Sequence, residues 1–351
     1  MALAIAFLLG LVLSLLLTPV GTRLAWVTGY LDHPEARKLH TSATALLGGA
    51  VVFVCALVAW GASLDARPSG ARSGEAPLIL AGAVLALGLG MWDDRHGMQP
   101  RIKSLGQATA AGLLLASGHV PDFGMPPVLN AGLALVSLVA LMNAINFLDN
   151  MNGVVGGLSA IALLGFGALS WMRGAYGLAA AQLAVAGACV GFLRYNFPRA
   201  KIFLGDAGSL FLGYCLGASA LLAYDSASRG WGRTGAILML GYPAFDLFFV
   251  VITRLRDGRK VSQGGKDHTN HRIASILKCQ TKTVLLVWLS GAALCVSGVA
   301  VLRLNRTLPT LLVSGLWIIL FLWAGLKLSS VPVPPARPAP RPPGETPTPT
   351  T

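Results

Sequence analysis

Charge is scarce in this chain, with Asp, Glu, Lys and Arg making up only 12% of its 351 residues. A soluble domain carries about 25% charged residues, so the scarcity excludes a fold whose whole surface meets water. Cysteine is scarce too. Of the five, Cys55, Cys189, Cys215 and Cys295 sit inside apolar runs and Cys279 lies in a basic stretch, which excludes a disulfide framework and any Cys-based zinc spacing. No basic segment precedes the apolar run 1–20, so a removable signal peptide is not expected, and the run reads as a first membrane helix. No internal repeat is visible, and no segment is polar enough for a separate soluble domain. The longest polar stretch, 254–282, is a loop by length.

What the chain has is apolar sequence in blocks. It is 54% hydrophobic, its mean hydropathy is +0.67, and the runs approach the roughly 17–25 residues that cross a bilayer. The predicted spans are 2–28, 43–63, 77–92, 105–119, 127–147, 154–172, 177–194, 207–224, 234–254, 283–302 and 309–328. The expectation is an all-α, polytopic integral membrane protein with about eleven transmembrane helices. Residues 1–330 form a single transmembrane domain, and the Pro-rich tail 331–351 is expected to be disordered for want of apolar periodicity.

Orientation follows from the basic residues. Sixteen Lys and Arg fall in the odd-numbered connections and seven in the even-numbered ones, which predicts cytoplasmic odd loops, an outside N-terminus and a cytoplasmic C-terminus. The net charge of +13 is thereby spread over membrane-flanking loops. It suits topology and anionic phosphate, and gives no sign of nucleic-acid binding. The acids follow the same side: Asp32, Glu35, Asp93, Asp94, Asp149, Asp206, Asp257 and Asp267 are all in or beside odd loops. The positive-inside rule does not ask for this, so a second cause is implied.

Five loops carry that cause. The first has Asp32, Pro34, Arg37, Lys38 and His40, then Gly48-Gly49; Arg37-Lys38 equally serves as a topology signal. The second has Asp93-Asp94 after an apolar helix, with Lys103 beyond. Adjacent carboxylates at a helix C-terminus oppose both each other and the helix dipole, which a cation or a phosphate proton would relieve. The third, Asn143–Gly153, ends the run from Val128 with a carboxylate and four carboxamides. Asn143, Asn146 and Asp149 are three apart and share one helix face, turned toward protein or water rather than lipid; the other reading is interhelical hydrogen bonding. The fourth has Gly205-Asp206-Ala207-Gly208-Ser209, which suits either a plain N-cap or a carboxylate for a metal beside backbone N–H groups for a phosphate. The fifth has Asp267-His268-Thr269-Asn270-His271-Arg272. Two histidines without a third or a cysteine make a poor zinc site, and phosphate contact by His and Arg fits better. Asp246 is an intramembrane acid whose pairing with Arg254 is one option and whose role stays open.

Taken in order over about residues 1–280, these loops resemble the polyprenyl-phosphate N-acetylhexosamine-1-phosphate transferases, in the superfamily of bacterial glycosyltransferase family 4 and phospho-N-acetylmuramoyl-pentapeptide transferase. Asp32-x-Pro34-x-x-Arg37-Lys38-x-His40 followed by Gly48-Gly49 resembles the first family motif, and favours the UDP-N-acetylglucosamine branch. The resemblance implies an Mg²⁺ enzyme, with Mn²⁺ as the other option, that moves GlcNAc-1-phosphate from a UDP-sugar to polyprenyl (undecaprenyl) phosphate on the cytoplasmic face of the cell membrane, releasing UMP. It implies catalytic roles for Asp93, Asp94, Lys103 and Asp149, metal contacts from Asp206 and Asn146, and substrate contacts from Lys38, His40, Asn152, His268, His271 and Arg272. It also implies a homodimer. The departures are Asn152 where bacterial relatives have a second Asp, missing prolines after His40, and Asn270 where many relatives have His. Two other classes compete: a transporter of lipid-linked sugars, and a silent family member acting as a scaffold.

Overall fold

The computed structural model describes residues 1–33, 43–63, 76–225, 233–260 and 265–332. The chain opens with α1 (Ala2–Thr28), then a short antiparallel pair, β1 (Leu31–Asp32) and β2 (Thr44–Ala45), and α2 (Gly48–Ala62). Four helices follow, α3 (Ala76–His96), which packs against α4 (Pro100–Ala116), then α5 (Pro127–Leu148) and α6 (Val154–Met172). Next come α7 (Tyr176–Asn196), α8 (Gly205–Asp225), α9 (Arg233–Met239), α10 (Gly241–Arg256), α11 (Thr269–Leu277), α12 (Gln280–Leu304) and α13 (Thr307–Ser329).

Every predicted span contains helix, although the span 43–63 opens with β2 and becomes helical only at Gly48, and the span 234–254 is divided between α9 and α10; the description of an all-helical polytopic protein holds. Among the described residues, eight helices are long and apolar enough to cross a membrane, and α9 with α10, taken as one span broken by a 68° bend, would make a ninth. Two boundaries move in ways that matter. The third helix was expected to end at Trp92, but α3 runs on to His96, so Asp93 and Asp94 lie in its last turn. The fourth was expected from 105, but α4 begins at Pro100 and takes Lys103 into its first turns. Pro at the start of a helix removes an N–H that would have no partner anyway. The predicted tail falls almost wholly outside the described residues.

The helices sort by burial. α6, α7 and α8 are mostly enclosed by protein, whereas α1 and α13 form the rim and expose most of their apolar surface. Lipid offers no hydrophobic drive between helices, so close packing needs small residues. α1 supplies them at near-regular steps of four, as Ala2, Ala6, Gly10, Ser14, Thr18, Gly21 and Ala25, all buried. This stripe lies against α7, where a Cβ on Gly10 would meet the backbone of Ala184 and Ala188.

The first loop is held to the fourth by backbone bonds. Phe203 N–H donates to Ala45 O at 2.8 Å, while Gly48 and Gly49 N–H donate to Phe203 O and Leu204 O at 3.0 and 2.9 Å. A side chain on Gly49 would run into the backbone of Gly208. The Gly48-Gly49 pair therefore lets the start of α2 touch the start of α8.

Candidate active site

Four helix ends meet at one end of the bundle: the C-termini of α3 and α5 and the N-termini of α4 and α8. The adjacent acids of α3 are about 100° apart around the helix, and they go to different partners. Asp94 turns to the start of α8, accepting from Asp206 N–H at 2.8 Å and Ala207 N–H at 3.0 Å. It caps the start of α8 and meets the positive end of that helix's dipole. Gly205 has φ +72°, and a side chain there would strike the Asp94 carboxylate. The N–H groups expected to await a phosphate are thus occupied by Asp94.

Asp93 turns instead to Lys103, with Oδ2 2.8 Å from Nζ. The same ammonium lies 2.6 Å from Asp206 Oδ2 and 3.1 Å from Asn146 Oδ1. Asn146 is oriented by its amide, which donates to Asp206 Oδ1 and Ser209 Oγ, both at 2.8 Å. Carboxylate repulsion in the second motif is relieved from both sides: one acid by a lysine, the other by a helix terminus.

Asn143 stands apart from this group. It forms a reciprocal amide pair with Gln107, at 3.0 and 3.2 Å, and joins α4 to α5; the interhelical reading holds for this one asparagine. Asp149 caps the end of α5 with its backbone, and its carboxylate has no hydrogen bond or ion pair among the described residues. Burial, with the negative charge of Asp206 adding, pushes its pKa up to about 7.

The rest of the third loop is fastened to its neighbours. Gly153 N–H donates to Asn196 Oδ1 at 2.7 Å, and Asn196 Nδ2 donates to Ile202 O at 3.0 Å, so one buried carboxamide ties the third loop to the fourth. Trp288 Nε1 donates to Gly153 O at 3.0 Å. Asn152 donates to Pro198 O at 3.3 Å. Sequence reasoning gave Asn196 and Ser209 no role, although Ser209 stands in the fourth-loop motif.

The fifth loop divides into two networks. Asp267 takes a bidentate pair from Arg254, at 2.8 and 2.7 Å, and a third bond from Arg259 at 2.9 Å. Burial alone would raise its pKa, but the Arg254 bonds hold it down at about 2. Asp246, the open case, pairs not with Arg254 but with His268 Nδ1 at 2.7 Å and with Thr269. His271 is kept neutral, its pKa lowered to about 4 by burial and by the neighbouring His268.

Arg272 has a structural task that the sequence does not reveal. Its Nη1 donates to Leu328 O, Ser329 O and Val331 O at 3.0, 3.3 and 2.7 Å, its Nε to Asp267 O at 3.2 Å, and its guanidinium lies over Phe249. The residue fastens the loop to the end of α13 through Nη1 and Nε, which leaves the two N–H groups of Nη2 as its remaining donors. Lys38 and His40 lie outside the described residues.

A metal fits this donor set. Oxygens of Asp93, Asp206 and Asn146 already surround one cationic nitrogen, and hard oxygen donors of this kind are what Mg²⁺ takes. The described residues contain no group of three or more His, Cys, Asp or Glu placed to hold a metal ion. The three oxygens around Lys103 Nζ would make only a partial shell, of the sort that substrate phosphates complete.

The bundle of long apolar helices thus gathers carboxylates, carboxamides and a lysine at one end, a set of groups that suits phosphorylated substrates. Comparison with known proteins agrees. The model of glycosyl transferase family 4 matches residues 76–224, which holds the second, third and fourth loops. A probable undecaprenyl-phosphate N-acetylglucosaminyl 1-phosphate transferase of Bacillus subtilis is 30% identical, covering 84% of each chain. A decaprenyl-phosphate N-acetylglucosaminephosphotransferase of Mycobacterium leprae is 32% identical over 73% of each. A phospho-N-acetylmuramoyl-pentapeptide-transferase of Desulforudis audaxviator is 30% identical over 86% of this chain and 97% of its own. This chain belongs to glycosyl transferase family 4, as its loop motifs led one to expect.

Proposed function

We propose that the protein transfers N-acetylglucosamine-1-phosphate from UDP-N-acetylglucosamine to a polyprenyl phosphate at the cytoplasmic face of the cell membrane, releasing UMP. The observation that carries this reading is the Lys103 ammonium set among Asp93, Asp206 and Asn146, a cation in an all-oxygen frame where a polar donor and a membrane acceptor can meet. The names of the Bacillus and Mycobacterium relatives support the sugar and the lipid.

In this reading an oxygen of the lipid phosphate attacks the sugar-linked phosphorus of the donor. The bond from that phosphorus to the bridging oxygen breaks, and UMP carries the electron pair away. Bound Mg²⁺, or Mn²⁺, neutralises diphosphate charge in such chemistry. Asp206 and Asn146 would hold it, with Asp93 completing the oxygen set.

Lys103 bridges the two acids across this frame and is placed to take a phosphate oxygen when it leaves them. Asp94 keeps α8 and hence Asp206 in place through its two backbone bonds. Asp149, with no hydrogen-bond partner among the described residues and a pKa of about 7, is the carboxylate poised to take the last proton of the lipid phosphate. Asn152 and the histidines His268 and His271 form the nucleotide side, together with Lys38 and His40 of the first loop. Eleven spans, an outside N-terminus, a single catalytic domain over 1–330 and a homodimer complete the proposal.

The test is a donor panel in detergent or vesicles: UDP-N-acetylglucosamine, other UDP-N-acetylhexosamines and the muramoyl-pentapeptide donor, each with polyprenyl phosphate, with and without Mg²⁺. UMP release is expected with the first donor only when Mg²⁺ is present, and Asp206→Asn should abolish it while leaving the protein inserted. Preference for the muramoyl donor would overturn the sugar assignment, and turnover unaffected by chelation would overturn the metal.

A further inference from the structure

Asp246 is an acid on a broken membrane helix, 1% exposed, for which the reaction above has no use. Its carboxylate is divided between two tasks. Oδ1 accepts from Thr269 N–H at 2.8 Å and from the Thr269 hydroxyl at 2.6 Å, so α10 supplies the N-terminal cap that α11 lacks. Oδ2 lies 2.7 Å from His268 Nδ1. A carboxylate can only accept, so Nδ1 carries the proton. Nε2 of His268 makes no hydrogen bond among the described residues, and the ring is 94% buried, beside Phe147 of the third motif at 6.3 Å between centroids.

The network reaches further. Tyr242, one turn before Asp246, has its hydroxyl 3.0 Å from Thr269 Oγ1 and donates to Asn270 Oδ1 at 3.1 Å. Asn270 Nδ2 donates in turn to Asn150 Oδ1 at 3.1 Å. An unbroken run of hydrogen bonds thus joins the bend of the α9–α10 span to the fifth loop and then to the third.

We propose that Asp246 is a positioning residue: by holding the Nδ1 proton of His268, it fixes the ring so that unprotonated Nε2 is the nitrogen offered to the phosphorylated substrate. This deepens the functional reading above and rests on it. The arrangement follows the general logic by which a buried carboxylate sets the tautomer of a working histidine. Asn270 and Tyr242 keep the same loop in register with Asn150.

Asp246→Asn tests this because the backbone N–H of Thr269 fixes the way the new amide faces. Its oxygen must stay on Thr269, which preserves the cap. Its NH₂ then points at His268 Nδ1, which must become the acceptor and move its proton to Nε2. The expected result is a kcat lower by ~10²-fold or more with KM for both substrates within about threefold. Asp246→Glu should recover most of the rate. Asp246→Asn in a His268→Ala background should lose little beyond His268→Ala alone, since residues that act as a unit are not additive. Thr269→Val, which weakens the cap but spares the histidine bond, should leave kcat within about threefold of wild type.

The tautomer is read directly, without substrate, from ¹⁵N spectra of histidine-labelled protein, where six histidines give six pairs of ring-nitrogen signals and His268→Ala identifies one pair. A protonated Nδ1 with a bare Nε2 is the predicted pattern in the wild type, reversed in Asp246→Asn. A bare Nδ1 in the wild type overturns the proposal even if the variant fails to fold. A Thr269→Val defect as large as that of Asp246→Asn would also overturn it, by reducing Asp246 to a cap. Inactivity of the wild type on every donor would sink the functional reading instead and leave the tautomer result standing.

Discussion

Asp149 is the residue whose environment makes the sharpest quantitative statement. Its carboxyl, with a pKa of about 7 where an ordinary carboxyl has one near 4, must be ionised to take a proton. kcat/KM is therefore expected to rise with pH through about 7 in a pH–rate profile. Asp149→Asn should lower it by ~10²–10⁴-fold and remove that limb, leaving only the acceptor's own second ionisation near ~6. A limb unchanged in the variant would remove Asp149 from proton transfer. The pair of Asp267 and Arg254 makes a statement about stability. Asp267 is held at about 2, below its unfolded value near ~3.9, so its contribution is complete above that value and is lost as pH falls from there toward 2. Arg254→Ala, which leaves a buried carboxylate with Arg259 alone, should destabilise by about 3–5 kcal/mol in thermal or denaturant unfolding. His271 acts in the same sense at higher pH. Its pKa of about 4 lies below the usual histidine value near ~6.5, so stability falls as pH drops between the two. Most residues of the site were legible in sequence as residue types out of place, such as Asp93 beside Asp94 or Asn146 in an apolar run. What could not be read was which partner each would take. Arg272 looks like a phosphate ligand by composition, and nothing in the sequence shows that its Nη1 is bound to three carbonyls at the end of α13, almost sixty residues later in the chain.

At the scale of elements, the site depends on the starting point of α8. Asp94 caps it, Gly49 lets α2 reach it, and Asp206 lies in its first turn. Asp94→Ala should therefore cost about 1 kcal/mol or more of stability through the lost cap and also impair turnover. Asp206→Asn should impair turnover with little change in stability. Parallel unfolding and activity measurements on the two variants separate positioning from chemistry; equal losses of stability would merge the roles. Helix existence was readable because each apolar run is long and uninterrupted. The continuation of α3 to His96 was not, since hydropathy ends at Trp92 while the backbone continues until its last acids have partners on other helices. α11 was missed for the same reason. It is nine residues in a basic loop, without an apolar run, and its fixed points are Asp246 at one end and the α13 carbonyls bound by Arg272.

For the whole molecule, the proposed orientation is open to a labelling test. In a cysteine-free background, Asn305→Cys, between α12 and α13, should react with a membrane-impermeant thiol reagent in intact cells. Ser330→Cys, at the other end of α13, should react only after permeabilisation. The reverse pattern would invert the topology and place the acids outside. The central claim is that sugar and phosphate move together onto the lipid, and it is tested most directly by UDP-N-acetylglucosamine labelled at the sugar-linked phosphate. Incubated with the protein, polyprenyl phosphate and Mg²⁺, the label is expected in the lipid fraction with an equal amount of UMP in water. Release of UDP with the label left in water, or label in neither product, would contradict the account.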